Sequence, residues 1–69
     1  MTVWECMKML GRHKKVRINY GERELTSEPF SAYDYEQDDE EFPREVFEPI
    51  LEKTAKSIDL EEMTIYCEE

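Results

Sequence analysis

The sequence has no long apolar run and very little glycine. Its longest uninterrupted hydrophobic stretch, among 69 residues, is the three residues from Ile65 to Cys67. A membrane-spanning helix needs about 20 apolar residues and a signal peptide needs an apolar core of about 7–15. We therefore expect a cytoplasmic protein that does not contact a membrane. The only glycines are Gly11 and Gly21, which excludes a glycine-rich phosphate loop.

Cysteine and histidine are also scarce. Cys6 and Cys67 lie near opposite ends of the chain, whereas a small secreted domain usually carries four or more cysteines. Two reduced, buried thiols are the favoured interpretation, and a disulfide between the terminal elements is the alternative. His13 has no histidine companion and there is no CxxC pair, so we expect no metal site and no cofactor. No set of nucleophile, base and orienting residue is recognisable, which favours a protein that is not an enzyme.

Basic residues are few and are concentrated at the beginning of the chain. The whole sequence has 9 Lys or Arg against 18 Asp or Glu, a formal net charge of −9. Residues 1–23 hold six basic and two acidic side chains, a net +4, and residues 24–69 hold three basic and sixteen acidic ones, a net −13. This balance opposes direct binding to nucleic acid or to an anionic membrane and favours a basic protein as partner.

The length predicts one small domain spanning residues 1–69. Thr2 and Glu5 have the spacing of a capping box and predict a helix that Gly11 ends in the left-handed conformation. Alternating apolar residues predict a strand over residues 16–20. Gly21 predicts a tight turn into a second strand over residues 23–27.

The second half of the chain predicts a further helix and strand. Apolar residues at helical spacing predict a helix over residues 43–57, with Thr54 and Ile58 on its buried side, and Pro49 either begins it or kinks it. Other expected elements are a possible edge strand over residues 30–35, a solvated loop over 37–41, a turn over 59–62 and a last strand over 63–67. The predicted fold is α+β, with two helices on a largely antiparallel sheet of three to four strands in the order α-β-β-(β)-α-β.

The acidic segment over residues 28–42 is the main candidate for function. It contains seven acidic and four aromatic residues. In an extended chain its acidic side chains at positions 34, 36 and 38 would line one face at a spacing of about 6–7 Å, and its tyrosines would serve as contact residues. The predicted second helix continues the acidic surface on the side opposite its apolar stripe. The candidate partner-binding residues are Tyr33, Asp34, Tyr35, Glu36, Asp38, Asp39, Glu40, Glu41, Glu45, Glu48 and Glu52.

Charge density limits how this surface could imitate DNA. Seven acids over fifteen extended residues give one charge per about 7 Å, against one per about 1.7 Å of duplex DNA. Mimicry therefore requires the loop, the helix face and the C-terminal acids (Glu61, Glu62, Glu68 and Glu69) to converge on one surface.

In its short length, its acidic bias and its opening Thr2-Val3-Trp4-Glu5…Leu10, the chain resembles small acidic inhibitors encoded by phages or prophages, such as anti-CRISPR proteins and other DNA mimics. The resemblance extends over the whole chain as composition and element order. It implies a stoichiometric inhibitor that occupies the basic nucleic-acid-binding groove of a protein in a bacterial host cell. Such binding would weaken as salt is added, because it depends on charge.

Two other interpretations remain open. The chain could be a protein-interaction or regulatory module that binds a host protein through a strand edge over residues 30–35 and through Phe30, Tyr33 or Leu25. That interaction would survive high salt. The chain could also self-associate, with the basic head of one copy on the acidic side of another.

Overall fold

The computed structural model describes residues 1–38 and 40–68 and has the predicted α+β class. Its elements are α1 (Val3–Leu10), β1 (Arg17–Tyr20), β2 (Arg23–Glu24), α2 (Ala32–Gln37), α3 (Arg44–Leu51), β3 (Ala55–Asp59) and β4 (Thr64–Cys67). None of the helices in the described ranges is both long and apolar enough to cross a bilayer.

The four strands form one mixed sheet in the order β2-β1-β4-β3. β1 and β2 form an antiparallel hairpin, and β3 and β4 form another. The two hairpins join through β1 and β4, which are parallel and place Ile18 beside Ile65. The sheet is therefore less antiparallel than predicted, because its two central strands are joined by a long crossover that contains β2, α2, α3 and β3.

The first helix forms as its capping residues predict. The Thr2 hydroxyl accepts a hydrogen bond from the Glu5 amide at 3.2 Å, and the Glu5 carboxylate accepts one from the Thr2 amide at 3.0 Å. Gly11 follows the helix with φ 128° and ψ 141°. The predicted left-handed helical conformation of Gly11 is wrong, but its positive φ is one that glycine adopts without a steric penalty.

The predicted hairpin is confirmed, with a shorter second strand. Gly21 has φ 63° in the turn, and Tyr20 lies opposite Arg23. Beyond β2 the chain stays close to β1, because the Leu25 amide donates to the Ile18 carbonyl at 2.8 Å and the Ile18 amide donates to the Thr26 hydroxyl at 3.3 Å. The chain thus runs back beside β1 to the bridge between Val16 and Phe30, which precedes α2.

The predicted edge strand over residues 30–35 is wrong. Ser31 and Asp34 form a second capping box, in which the Ser31 hydroxyl accepts from the Asp34 amide at 3.2 Å and the Asp34 carboxylate accepts from the Ser31 amide at 2.9 Å. This box starts α2 at Ala32. Phe30 is fully buried, and its backbone pairs with Val16 in an isolated bridge. Residues 30–37 thus contain one isolated β-bridge, at Phe30, followed by α2.

The predicted helix over residues 43–57 is correct only in its first half. α3 contains Pro49 within its span and ends at Leu51, and β3 begins at Ala55. The stripe predicted to be buried therefore ends early, since Thr54 is exposed and Ile58 lies beside Ile65 in the β3–β4 hairpin. Pairing with β4 satisfies the backbone groups of β3 that a longer helix would have satisfied internally. The predicted turn over residues 59–62 and last strand over 63–67 are both present, but the turn occupies residues 60–63 and the strand begins at Thr64.

The hydrophobic core contains buried residues of α1, α3, β1 and β4 and of the connections between them. Its buried members are Val3, Cys6, Met7, Val16, Ile18, Phe30, Phe42, Leu51, Ile65 and Cys67. Phe30, Phe42 and Phe47 form a ring cluster with centroid separations of 4.9–5.6 Å. Both cysteines are free and buried, which agrees with the favoured interpretation. Burial raises the pKa of each thiol, because removal from water disfavours the thiolate.

Candidate functional site

A groove of about 400 Å³ lies between the start of α1, the end of α2 and the exposed side of α3. It forms because α1 packs against both other helices. The lining residues are Thr2, Trp4, Tyr35, Glu36, Arg44, Glu48, Leu51 and Glu52. Of the residues predicted to bind a partner, the groove therefore brings together Tyr35, Glu36, Glu48 and Glu52.

Two aromatic rings in the groove each contact a basic side chain. Trp4 and Tyr35 lie with ring centroids 5.2 Å apart and planes inclined by 58°. The Lys8 ammonium is 5.6 Å from the Trp4 centroid, and the Arg44 guanidinium is 5.6 Å from the Tyr35 centroid. Both distances fall within the range of about 6 Å for cation–π attraction. The sequence prediction did not include Trp4 among the contact residues, although the only tryptophan of the chain, next to the apolar stripe of a predicted helix, was a usable signal.

The acidic residues of α2 are paired within the chain. Glu36 Oε2 lies 2.7 Å from Arg12 Nη2. Asp34 Oδ2 lies 3.9 Å from Lys15 Nζ and also accepts hydrogen bonds from the Ser31 amide and hydroxyl. The basic N-terminal third therefore folds against α2 and offsets part of its charge.

A further acidic residue, Asp38, is paired at the junction between α2 and α3. Asp38 caps α2 in the left-handed conformation, with φ 51°, and its Oδ1 accepts a hydrogen bond from the Arg44 amide at 3.2 Å. The predicted extended row of acids at positions 34, 36 and 38 is wrong, because α2 is helical and each carboxylate has a structural partner. Glu40 and Glu41 are exposed in the connection to α3, and Asp39 lies outside the described residues.

Tyr33 lies outside the groove. Its ring is 4.8 Å from the His13 ring and 5.3 Å from the Arg12 guanidinium, and its amide donates to the Arg12 carbonyl at 2.9 Å. The two tyrosines predicted as partner contacts are thus separated, with Tyr35 in the groove and Tyr33 packed against the basic connection after α1.

The acidic side chains of α3 differ from those of α2 in their pairing. Glu45, Glu48 and Glu52 are exposed, and within the described part of the chain their carboxylates make no ion pair or hydrogen bond. Their predicted position opposite the apolar side is confirmed, because Leu51 is buried and Phe47 is partly buried. We refer to Glu45, Glu48 and Glu52, the last of which is the C-cap residue that follows α3, as the α3 acids.

The remaining acidic residues form separate groups. Glu68 lies near the end of α3, since its amide donates to the Thr54 carbonyl at 2.8 Å. Glu61 and Glu62 lie in the turn at the far end of β3, which at about 3.3 Å per residue is roughly 16 Å long. Glu68 therefore lies near the end of α3 and Glu61 and Glu62 lie at the other end of β3, and Glu69 lies outside the described residues.

Neither a metal site nor a match to a known protein indicates what the groove binds. Across residues 1–38 and 40–68, no group of three or more His, Cys, Asp or Glu is placed to hold a metal ion. No protein-family model, curated protein or solved structure matches this chain. The chemistry of the groove and of the α3 acids is therefore the basis for a functional proposal.

Proposed function

We propose that this protein is a non-enzymatic inhibitor that binds the basic surface of a nucleic-acid-binding protein and blocks it. The observation that carries the proposal is the difference between the two acidic helices. The acids of α2 are paired with Arg12 and Lys15, whereas the α3 acids are exposed and have no partner among the described residues. The α3 acids are therefore the negative charges that remain for a basic partner to neutralise.

The spacing of the α3 acids supports this role. Glu45, Glu48 and Glu52 follow one another by three and four residues, which corresponds to about 4.5 and 6 Å along the helix axis. Duplex DNA carries one charge per about 1.7 Å of axis. The α3 acids are about threefold more dilute than that, whereas the extended segment considered from the sequence was about fourfold more dilute.

Two of the three α3 acids lie where their charge destabilises the helix. Glu45 is in the first turn, where the helix dipole favours negative charge, but Glu48 and Glu52 lie at the C-terminal end of α3, where the dipole disfavours it by about 0.3–1 kcal/mol per residue. No basic residue occupies the last turn of α3, and Lys56, which could have paired with Glu52 in a longer helix, lies in β3 instead. A basic partner would relieve this repulsion. The proposed setting, as the resemblance to phage inhibitors implies, is the cytoplasm of a bacterial host cell.

The alternative function, docking through apolar and strand-edge contacts, needs a different location from the one predicted. Phe30 is fully buried and residues 32–37 are helical, so neither offers an edge. The sheet has two edge strands, β2 and β3. An exposed apolar side chain lies on β3, where Ile58 is 38% exposed and Met1 covers only the start, through a hydrogen bond from the Ala55 amide. Docking there would depend on Ile58 and would resist salt.

The test compares two variants with the same change in charge. Glu45→Gln/Glu48→Gln/Glu52→Gln removes the α3 acids, and Glu22→Gln/Glu24→Gln/Glu28→Gln removes three exposed acids elsewhere. The wild-type protein is used to capture partners from a bacterial lysate at low and high salt, and each captured protein is assayed for DNA or RNA binding. We expect the wild type and the second variant to displace the nucleic acid and the first variant to fail.

Two results would contradict the proposal. If both variants displace nucleic acid equally, the α3 acids are not the binding surface. If capture survives high salt and is lost with Ile58→Ser, the interaction is at the β3 edge instead.

A further inference from the structure

We infer that the groove between α1, α2 and α3 binds one arginine side chain of the partner. This inference rests on the proposed function and specifies the chemical group that the groove accepts. It is carried by three observations: a guanidinium of the chain itself already lies in the groove, two carboxylates there have no partner among the described residues, and the half-buried Trp4 ring also lines the groove.

Arg44 shows how the groove accommodates a guanidinium. Its guanidinium lies 5.6 Å from the Tyr35 ring centroid, and its Nη2 donates to the Glu36 carbonyl at 3.1 Å. The Glu36 carboxylate is occupied separately by Arg12 at 2.7 Å. An aromatic face and a nearby oxygen acceptor thus hold one planar cation, and the groove retains further acceptors that Arg44 does not use.

Those acceptors are Glu48 and Glu52. They are one helical turn apart on α3, both line the groove, and neither has a cationic partner within the described ranges. A guanidinium presents five N–H groups in a planar fork and can donate to two carboxylates at once, whereas a lysine ammonium is a compact, strongly hydrated charge. The pair therefore favours arginine over lysine.

The apolar part of the groove suits the stem of the same side chain. Trp4, which is half-buried, lines the groove together with Glu48 and Glu52, and Leu51, which is only 3% exposed, adds little accessible surface. Long basic side chains cover apolar surface with their methylene groups while the charged end reaches polar groups. The volume of about 400 Å³ lies near the lower end of the range of about 300–1,000 Å³ for ligand pockets, which fits one side chain rather than a folded element.

The experiment uses Trp4, the only tryptophan of the chain, as a fluorescent reporter in the groove. The probes are three acetylated and amidated pentapeptides, Gly-Gly-X-Gly-Gly, in which X is arginine, lysine or uncharged citrulline. We expect the arginine peptide to change Trp4 fluorescence and to bind several-fold tighter than the lysine peptide, because only the guanidinium pairs with both glutamates. The citrulline peptide should have no effect.

A charge-matched pair of variants locates the binding. Glu48→Gln/Glu52→Gln should weaken arginine-peptide binding by about tenfold, as expected for the loss of two partly exposed ion pairs. Glu22→Gln/Glu24→Gln, which changes the net charge equally but far from the groove in sequence, should leave the affinity unchanged. Urea unfolding of each variant confirms that it is folded.

Equal affinities for the arginine and lysine peptides, or an equal loss in both variants, would overturn the inference and show general attraction to an acidic protein. Those results would leave the proposed function intact, because displacement of nucleic acid by the α3 acids requires charge alone. Failure of displacement with normal arginine-peptide binding would instead contradict the proposed function while retaining the groove as an arginine site.

Discussion

Arg12 Nη2 lies 2.7 Å from Glu36 Oε2, and this ion pair joins the basic N-terminal third of the chain to its acidic remainder. The two residues are 24 positions apart in sequence. Because of this contact, the charge separation along the sequence is only partly a charge separation in space. The acidic side chains available to a partner are therefore those of α3 and not those of α2.

The Arg12–Glu36 pair should contribute little to stability. The two side chains are 58% and 37% exposed, and exposed ion pairs typically contribute about 0.2–1 kcal/mol. A double-mutant cycle with Arg12→Ala and Glu36→Gln, measured by urea unfolding, should give a coupling free energy in that range that decreases as salt is added. A coupling free energy well above about 2 kcal/mol would indicate a desolvated pair and contradict this prediction.

The second capping box should contribute more to the free energy of unfolding than the Arg12–Glu36 ion pair. Ser31 is 3% exposed and its side chain accepts from the Asp34 amide at 3.2 Å. We expect Ser31→Ala to lower the free energy of unfolding by about 0.5–2 kcal/mol, because an amide in the first turn of α2 loses its partner. Ser57→Ala, at an exposed position of β3, is the control and should change the free energy by less than about 0.5 kcal/mol. Equal effects of the two substitutions would show that the cap does not stabilise α2.

The first capping box makes a pH-dependent contribution. Hydrogen bonds from the Thr2 amide and hydroxyl hold the pKa of Glu5 below its ordinary value, because they stabilise the carboxylate. Since the folded-state pKa is the lower one, this stabilisation is present above the unfolded-state pKa and is lost as pH falls through the folded-state pKa. An NMR titration of the Glu5 carboxyl should therefore have a midpoint below the ordinary value for glutamate.

Two threonine variants, Thr2→Val as the test and Thr54→Val as the control, show whether the cap causes this lower midpoint. Thr2→Val removes the hydroxyl and should raise the Glu5 midpoint toward its ordinary value. Thr54→Val changes a residue that bridges Thr2 through the backbone and makes no hydrogen bond to Glu5, so the midpoint should stay where it is. An unchanged midpoint in Thr2→Val would contradict the capping role.

The buried thiols should be unreactive in the folded protein. Cys6 and Cys67 are 3% and 2% exposed, and burial raises the pKa of both thiols, so little thiolate is present at neutral pH. We expect a disulfide reagent to label two thiols per chain slowly in buffer and rapidly in concentrated urea. Rapid labelling in buffer would contradict the burial, and no labelling in urea would indicate that the two cysteines are joined by a disulfide.

Much of the local structure could be predicted because its causes lie within a few residues. The Thr2–Glu5 box starts α1, Gly21 forms the hairpin turn with a positive φ, and the alternation near Ile65 marks β4. The same is true of the exposed side of α3, because the acidic and apolar residues repeat at the helical period. Even the Ser31–Asp34 box was present in the sequence, but the alternation of tyrosines and acids after it is equally compatible with a strand.

Tertiary structure decided where α3 stops and which acids remain available. β3 forms because its backbone pairs with β4, so Ile58 lies beside Ile65, a partner that no local pattern specifies. The parallel pairing of β1 with β4 likewise depends on residues far apart in the chain. Spacing within the sequence therefore determined the caps, the turns and the face on which the α3 acids lie. Only folding, which brings Arg12 to Glu36 and Trp4 to Tyr35, decided that the α2 acids are paired and that a groove exists. The physical reason is that capping and periodicity act over one or two turns of chain, whereas ion pairing and packing act between whatever residues the fold makes neighbours.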